Sequence, residues 1–105
     1  MNLILYIRKQ IDWSLATFGC GPRDESLCNH IRKEVEEIEA HPKDLEEWID
    51  VIVLAIDGAW RAGYSPDQIA AMLEYKQQKN FARKFILPDD PTQPCEHDRT
   101  QEEPS

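Results

Sequence analysis

An almost uninterrupted apolar run from Trp48 to Trp60 constrains this chain more than any other feature of its sequence. The run is shorter than the roughly 20 residues that span a bilayer. Because Asp44 can cap a helix before it and Gly63 can end one after it, the run predicts a helix that reaches about Ala62. A helix that is apolar on nearly every side is typically buried, so we expect this one to be the central, buried element of the fold.

Three further segments have apolar residues at helical spacing, at about residues 3–16, 24–40 and 66–84. The last has a well-defined start, because Ser65 and Gln68 can form a capping box around Pro66. No segment has a strand pattern. We therefore predict an all-α fold, an antiparallel bundle of about four helices over residues 1–87. The polar, proline-containing remainder, residues 88–105, is expected to be a disordered tail.

The charge balance is acidic, with 20 Asp and Glu against 12 Lys and Arg and a net charge of −8. Nucleic acids and anionic membranes attract proteins through a basic face, so we expect neither as a partner. A phosphorylated ligand is still compatible with this charge, because divalent cations bound to clustered carboxylates reverse the local sign.

Three features of the chain bear on its cellular compartment and its oligomeric state: the cysteines, the N-terminal residues and the length. The cysteines are odd in number without zinc-like pairing, and the apolar N-terminal residues precede the first basic ones, which is the reverse of a signal peptide. We therefore expect a cytoplasmic protein. A chain of 105 residues is one small domain, which favours a homodimer or homotetramer.

Two pairs of acidic residues have the spacing of a metal site. Glu34 and Glu37 lie three residues apart on the second helix, and Glu47 and Asp50 repeat that spacing on the third, so each pair shares a helix face. If the short turn at residues 41–43 makes the two helices antiparallel, the pairs can converge. Carboxylates gathered in this way repel one another unless cations lie between them, and all-oxygen ligation suits Mg²⁺ or Mn²⁺.

Each acidic residue also has a simpler interpretation. Glu34 and Glu37 fit a solvated helix face, and Glu47 fits a capping box with the start of its own helix. Asp50 is harder to explain in this way, because an unpaired carboxylate beside an apolar run is costly. Asp57 lies inside the run, and we interpret it as the buried partner of a cationic residue or a backbone amide rather than as an extra metal ligand.

Lys76, Asn80 and Arg83 share one face of the fourth helix. A stripe of cationic and amide groups can contact phosphate oxygens or a carboxylate ligand. The same residues also fit an ordinary solvated face, because the segment is rich in Lys and Gln.

Together, these motifs resemble the MazG-like, all-α nucleoside triphosphate pyrophosphohydrolase superfamily. Its E-E-x-x-E element stands here at residues 33–37, with Lys33 at the leading acidic position, and its E-x-x-D element at residues 47–50. Its K-x-x-x-N-x-x-R element stands at residues 76–83. The chain is more narrowly similar to the dATP/dGTP diphosphohydrolase branch, which includes the MazZ enzymes of bacteriophages and with which Lys33 agrees. That similarity lies in residues 13–23, 30–34, 44–50 and 54–61.

The resemblance covers about residues 12–87 and implies hydrolysis of dGTP or dATP to the monophosphate and pyrophosphate. It implies about two or three Mg²⁺ ions that activate water. In phages that replace adenine with 2-aminoadenine, such an enzyme depletes dATP and supplies dGMP. The implied metal ligands are Glu34, Glu37, Glu47 and Asp50, the phosphate contacts are Lys76, Asn80 and Arg83, and the candidate base contacts are Trp13, Phe18, Arg23, His30 and Lys33.

Other functions are compatible with the residues alone. The same fold and site would serve a pyrophosphohydrolase of dUTP, dCTP, phosphoribosyl-ATP or a broad range of nucleotides. A carboxylate-bridged di-iron or di-manganese bundle fits less well, because Glu37 and Asp50 stand where such bundles usually have histidine. A non-catalytic acidic adaptor or DNA mimic fits the net charge of −8 but gives the acidic residues of the apolar run no role.

Overall fold

The computed structural model describes residues 1–98 and has an all-α architecture, which confirms the predicted fold class. Its helices are α1 (Leu3–Phe18), α2 (Asp24–Ala40), α3 (Leu45–Arg61) and α4 (Pro66–Ala82). α1 continues past its expected end at Ala16 as far as Phe18, and the chain leaves the helix at Gly19, whose φ is 82°. Within the described residues, no helix is both long enough and apolar enough to cross a bilayer.

The predicted helix starts are present as hydrogen-bonded caps. At the start of α3, the Asp44 carboxylate accepts a hydrogen bond of 3.0 Å from the backbone N–H of Glu46. At the start of α4, the backbone N–H of Gln68 donates to Ser65 Oγ at 3.1 Å, and that of Ser65 donates to Gln68 Oε1 at 2.9 Å. These bonds satisfy N–H groups that have no partner inside the helix, so the sequence signals for both starts are confirmed.

The chain divides into two compact units, with the boundary inside α4 between Ala71 and Met72. In the first unit, α3 packs against both α1 and α2. Leu27, near the start of α2, faces Gly58, near the end of α3, while Glu37 and Glu47 meet at the opposite ends of the two helices. α2 and α3 therefore form an antiparallel hairpin.

α3 is central in its unit, but it is less buried than its sequence predicts. Asp57 is the only residue of α3 classed as buried in the described structure. Leu45, Trp48, Ile49 and Ile52 are 71%, 51%, 43% and 53% exposed. The expectation of burial on every side is wrong for the single chain, because α1 and α2 cover only part of the helix circumference.

Polar side chains tie α1 to α3. Ile7 is fully buried on α1, and Gln10 and Ser14 are buried on the same helix. Gln10 Nε2 donates a hydrogen bond of 2.8 Å to the carbonyl oxygen of Val53. The interface between these helices therefore combines apolar packing with specific hydrogen bonds.

Asp57 is the acceptor at the centre of a buried hydrogen-bond network. It is 5% exposed. Its carboxylate accepts hydrogen bonds from Ser14 Oγ at 2.7 Å, Arg23 Nη1 at 3.0 Å, Trp60 Nε1 at 2.7 Å and Arg61 Nε at 3.1 Å. The interpretation of Asp57 as the buried partner of a cationic residue is confirmed.

Arg61 extends this network to the loop between α1 and α2. Its side chain is 3% exposed. Its Nη1 donates to the carbonyl oxygens of Gly19 at 2.9 Å and Gly21 at 2.7 Å, and its Nη2 donates to Ser14 Oγ at 2.9 Å. One guanidinium therefore joins α1, the loop and α3.

The second unit contains a short antiparallel pairing of β1 (Phe85–Ile86) with β2 (Glu96–His97). Between the strands, Asp90 Oδ1 accepts hydrogen bonds from the backbone N–H of Thr92 at 2.9 Å and from its Oγ1 at 2.7 Å. Strands of two residues are too short to produce an alternating pattern, so the sequence did not indicate them. The boundary at residue 87 stays a prediction, and residues 99–105 of the expected tail lie outside the described residues.

The pKa of Asp57 predicts a loss of stability in acid. Burial raises this pKa, but hydrogen bonds from Ser14, Trp60 and Arg61 outweigh burial and hold it below the ordinary value of 3.8. The resulting stabilisation is present above about pH 4 and is lost as pH falls through the lowered pKa. Thermal unfolding between about pH 7 and pH 2 should show this loss, and Asp57→Asn should lack it.

A control for this prediction is Asp12→Asn, which makes the same change at an exposed site on α1. It should keep the pH dependence of the unmodified protein. If Asp57→Asn melted at the same temperature as the unmodified protein near neutral pH, the network would not have the stabilising role that its geometry indicates.

Candidate active site

Three carboxylates converge where the α2–α3 hairpin closes. One oxygen each from Glu34, Glu37 and Glu47 lies within 4.8 Å of the others. The spacing of three residues on α2 gives Glu34 and Glu37 a common face, and the antiparallel hairpin brings the first turn of α3 against it. We call these three residues the carboxylate cluster.

Asp50, the fourth predicted ligand, is not brought into the carboxylate cluster. It lies about one turn beyond Glu47, and its side chain is exposed. Exposure also removes the cost that was expected for an unpaired carboxylate beside the apolar run. The role of Asp50 as a metal ligand stays a prediction.

The cluster contains buried oxygens without hydrogen-bond partners in the described structure. Glu34 is 6% exposed, and its Oε1 lies 3.2 Å from Nε2 of His30. The Oε2 atoms of Glu34 and Glu47 are buried and unpaired. Because buried polar atoms nearly always have a partner, these two oxygens are suited to a ligand such as a cation.

The simpler interpretations of these glutamates do not match their surroundings. Glu34 is buried, so it does not belong to a solvated face. Glu47 does not complete a capping box, because the backbone N–H of Asp44 donates to the carbonyl oxygen of His41 at 3.0 Å. The side chain of Glu47 lies in the carboxylate cluster instead.

The pKa of Glu47 is raised from 4.5 to about 7. The largest cause is its hydrogen bond with Glu37, followed by burial and by the hydrogen bond with Glu34, and the two negative charges add to these effects. Neighbouring carboxylates relieve their repulsion by sharing a proton, and a divalent cation relieves it by replacing that proton. An all-oxygen donor set with unpaired oxygens fits a hard divalent cation such as Mg²⁺ or Mn²⁺.

Three of the predicted base contacts form a second cluster. The rings of Trp13 and Phe18 are perpendicular, with centroids 5.5 Å apart. The guanidinium carbon of Arg23 lies 3.8 Å from the centroid of the Phe18 ring. Trp13 is 56% exposed and Phe18 is 47% exposed, so both rings can contact a ligand.

The remaining predicted substrate contacts are placed differently. His30 lies against Glu34 of the carboxylate cluster, and Lys33 is exposed on α2. In the second unit, Arg83 Nη1 donates to Asn80 Oδ1 at 3.3 Å, and Lys76 is exposed on the same helix. The substrate roles of these residues stay predictions.

The sequence pattern did not indicate which residues are the partners of Asp57, and these include Ser14 on α1, together with Trp60 and Arg61 on α3. The sequence does contain a signal for Gln10 and Ser14. They lie three and seven residues after the apolar Ile7, so the three residues share one face of α1, and all three are buried. A polar residue in a buried helical stripe needs a hydrogen-bond partner, which points to an acceptor or donor on the facing helix.

The helical hairpin and its clustered carboxylates define a class of all-α proteins with the ligands for a divalent cation. The profile of the dATP/dGTP pyrophosphohydrolase family matches residues 6–103, and the chain belongs to this family. It is therefore a nucleoside triphosphate diphosphatase, which confirms the resemblance found in the sequence. Comparisons with curated proteins and with solved structures gave no significant match.

The raised pKa of Glu47 predicts that cation binding strengthens as pH rises. Because the folded-state pKa is about 7 against 4.5 for the ordinary group, the metal-free protein loses stability as pH rises through this interval. Proton release favours the cation, so calorimetric affinity for Mg²⁺ should increase between about pH 6 and pH 8. Thermal stabilisation by Mg²⁺ should increase over the same range.

The matched variants for this measurement are Glu47→Gln and Glu36→Gln. Both replace a carboxyl group with an amide, but Glu36 is exposed on α2. Glu47→Gln should weaken Mg²⁺ binding and flatten its pH dependence, whereas Glu36→Gln should keep both. Equal behaviour of the two variants would rule out a specific role for Glu47.

Proposed function

We propose that the protein is a Mg²⁺-dependent pyrophosphohydrolase of dGTP and dATP in which Glu34, Glu37, Glu47 and Asp50 hold the cations. The main support is the convergence of three carboxylates, two of which have a buried, unpaired oxygen, in a chain of this family. Mn²⁺ should substitute for Mg²⁺, because both ions prefer oxygen ligands. Family membership also argues against the non-catalytic adaptor.

The reaction breaks the phosphoanhydride bond between the α- and β-phosphates. Water supplies the oxygen and the protons that complete the two products, the monophosphate and pyrophosphate. Bound divalent cations would neutralise charge on the triphosphate and favour ionisation of the attacking water.

The side chains of the protein bind and orient the reacting groups. Glu34 is held on one side by His30 and leaves its other oxygen unpaired. Glu47 would hold a bound cation in its ionised form, so loss of its proton would give the cluster the negative charge that the cation needs.

The purine would contact the exposed rings of Trp13 and Phe18, with Arg23, His30 and Lys33 supplying polar groups. Stacking on an aromatic ring contributes roughly 1–3 kcal/mol per base. In a phage that uses 2-aminoadenine, this reaction would remove dATP and supply dGMP. Such a role places the enzyme in the cytoplasm of the host, where its substrates are.

Product analysis should detect monophosphate and pyrophosphate from dGTP and dATP when Mg²⁺ is present. A chelator should abolish both products. Glu37→Gln should lower kcat by a factor of 100 or more, on the order of the effect of losing one electrostatic contact to a transition state. Glu36→Gln is the control and should keep full activity, because its side chain is exposed outside the cluster.

Other results would contradict parts of this proposal. Turnover of dUTP, dCTP or phosphoribosyl-ATP but of neither purine would overturn the purine assignment and keep the site. Full activity in chelator or in Glu37→Gln would overturn the metal site. Phosphate in place of pyrophosphate would overturn the bond assignment.

The proposal includes a homodimer or homotetramer in which α3 packs against another copy of the chain. Ile52 lies four residues after Trp48 and three after Ile49, so it shares a helix face with each of them and the three form an apolar stripe on α3. All three are more than 40% exposed. Burying apolar surface of this kind contributes about 25 cal/mol per Å², and small chains commonly gain that stability by pairing.

Ile52→Glu should convert the assembly to monomers, because it would bury an unpaired charge at the interface. Light scattering after gel filtration would measure the mass. Asn29→Glu adds the same charge at an exposed site on α2 and should leave the mass unchanged. An unmodified protein that is monomeric at all concentrations would contradict the assembly.

A further inference from the structure

A cavity of about 200 Å³ lies between the start of α2 and the end of α3. Its wall is mainly apolar, and its charged residues are two arginines and Asp24. The residues that form it include Pro22, Arg23, Leu27, Gly58, Arg61 and Ala62. Pockets that enclose a whole drug-sized ligand have roughly 300–1,000 Å³, so this cavity has room for a nucleobase but not for a nucleotide.

The cavity and the carboxylate cluster lie along the same α2–α3 interface. Leu27 is seven residues before Glu34, and Gly58 is eleven residues after Glu47. These intervals are close to two and three helical turns, so each pair shares a helix face, at a separation of roughly 10–16 Å. An extended nucleoside triphosphate can bridge such a distance with its phosphates at one end and its base at the other.

We propose that this cavity is the purine-base subsite, an inference that rests on the proposed hydrolysis of purine nucleotides. Phe18 and Trp13 continue the subsite outside the cavity, because the Phe18 ring lies against Arg23. The network around Asp57 holds the arginine wall: Arg23 and Arg61 both donate to its carboxylate.

Of the two arginines, Arg23 is the one that can donate hydrogen bonds to the base. The Nε and both terminal nitrogens of Arg61 donate to Asp57, Ser14 and the loop carbonyl oxygens. The side chain of Arg23 is 22% exposed, and Nη1 is its one nitrogen with a hydrogen bond in the described structure. Its other donors suit a base edge with two acceptors. Guanine presents O6 and N7, whereas adenine presents only N7 there, so the subsite favours dGTP over dATP.

Gly58 allows the cavity to be filled without a clash. A Cβ atom on Gly58 would have Leu27 Cδ1 as its nearest neighbour, at 3.9 Å, which is ordinary van der Waals contact. Gly58→Ala should not lower the melting temperature, because alanine favours the helix more than glycine does. It should raise KM for dGTP with kcat unchanged. Gly58→Leu should raise KM by about tenfold or more.

Inhibition by pyrophosphate distinguishes an effect on phosphate binding from an effect on base binding. Pyrophosphate has no base, so its inhibition constant should be the same in the Gly58 variants and in the unmodified protein. Ala71→Leu adds similar bulk at an exposed position of α4 and should keep KM. If Gly58→Leu does not fold, Gly58→Ala and the Arg23 variants decide the result.

Arg23→Ala tests whether Arg23 donates hydrogen bonds to the base. It should raise KM for dGTP and for dITP, which has the same O6 and N7 acceptors, more than KM for dATP. Arg23→Lys should restore part of the loss, because lysine keeps the charge but not the planar pair of donors.

Normal KM in Gly58→Ala and in a folded Gly58→Leu would overturn the subsite. So would an equal loss for dGTP and pyrophosphate, which would make the cavity a phosphate site. If the unmodified enzyme hydrolyses dGTP and Glu37→Gln does not, the proposed function holds. Either of the two results above then overturns only the base subsite. If the unmodified enzyme leaves dGTP and dATP intact, the proposed function fails with it.

Discussion

The hydrogen bonds that meet at Asp57 hold the first unit of this protein together. A carboxylate that is 5% exposed would be costly without partners, and here it accepts bonds from two arginines, a serine and a tryptophan. Arg61 also binds the carbonyl oxygens of Gly19 and Gly21, so the network fixes the loop before α2. With one carboxylate and two guanidinium groups, it brings net positive charge to one end of the hairpin in a chain whose net charge is −8.

The other end of the hairpin has the opposite electrostatic character. Asp57 has a lowered pKa because N–H and O–H groups donate to it, whereas Glu47 has a raised pKa because its nearest neighbours are carboxylates. Asp57 is fully satisfied by the protein, so it needs no cation. The carboxylate cluster keeps unpaired oxygens and a raised pKa at Glu47, and this is the end of the hairpin that is suited to a divalent cation.

The exposed stripe of α3 follows from the size of the chain. A helix with apolar residues around most of its circumference needs neighbours on several sides, and α1 and α2 supply only part of them. Trp48 illustrates the result, because its indole N–H donates to the carbonyl oxygen of Pro42 while the side chain stays half exposed. Assembly would complete the burial that the sequence of α3 indicates.

Local sequence signals were sufficient for the four helices, because caps and apolar spacing act within a few residues. They also indicated that Glu34 and Glu37 share a face and that Asp57 needs a partner. They could not tell that Glu47 joins the cluster while Asp50 stays exposed, or that α3 keeps an open stripe. Helical spacing shows which residues share a face, but the neighbour of that face depends on how the helices pack. For the same reason the partners of Asp57, and the cavity beside Gly58, are apparent only in the folded chain.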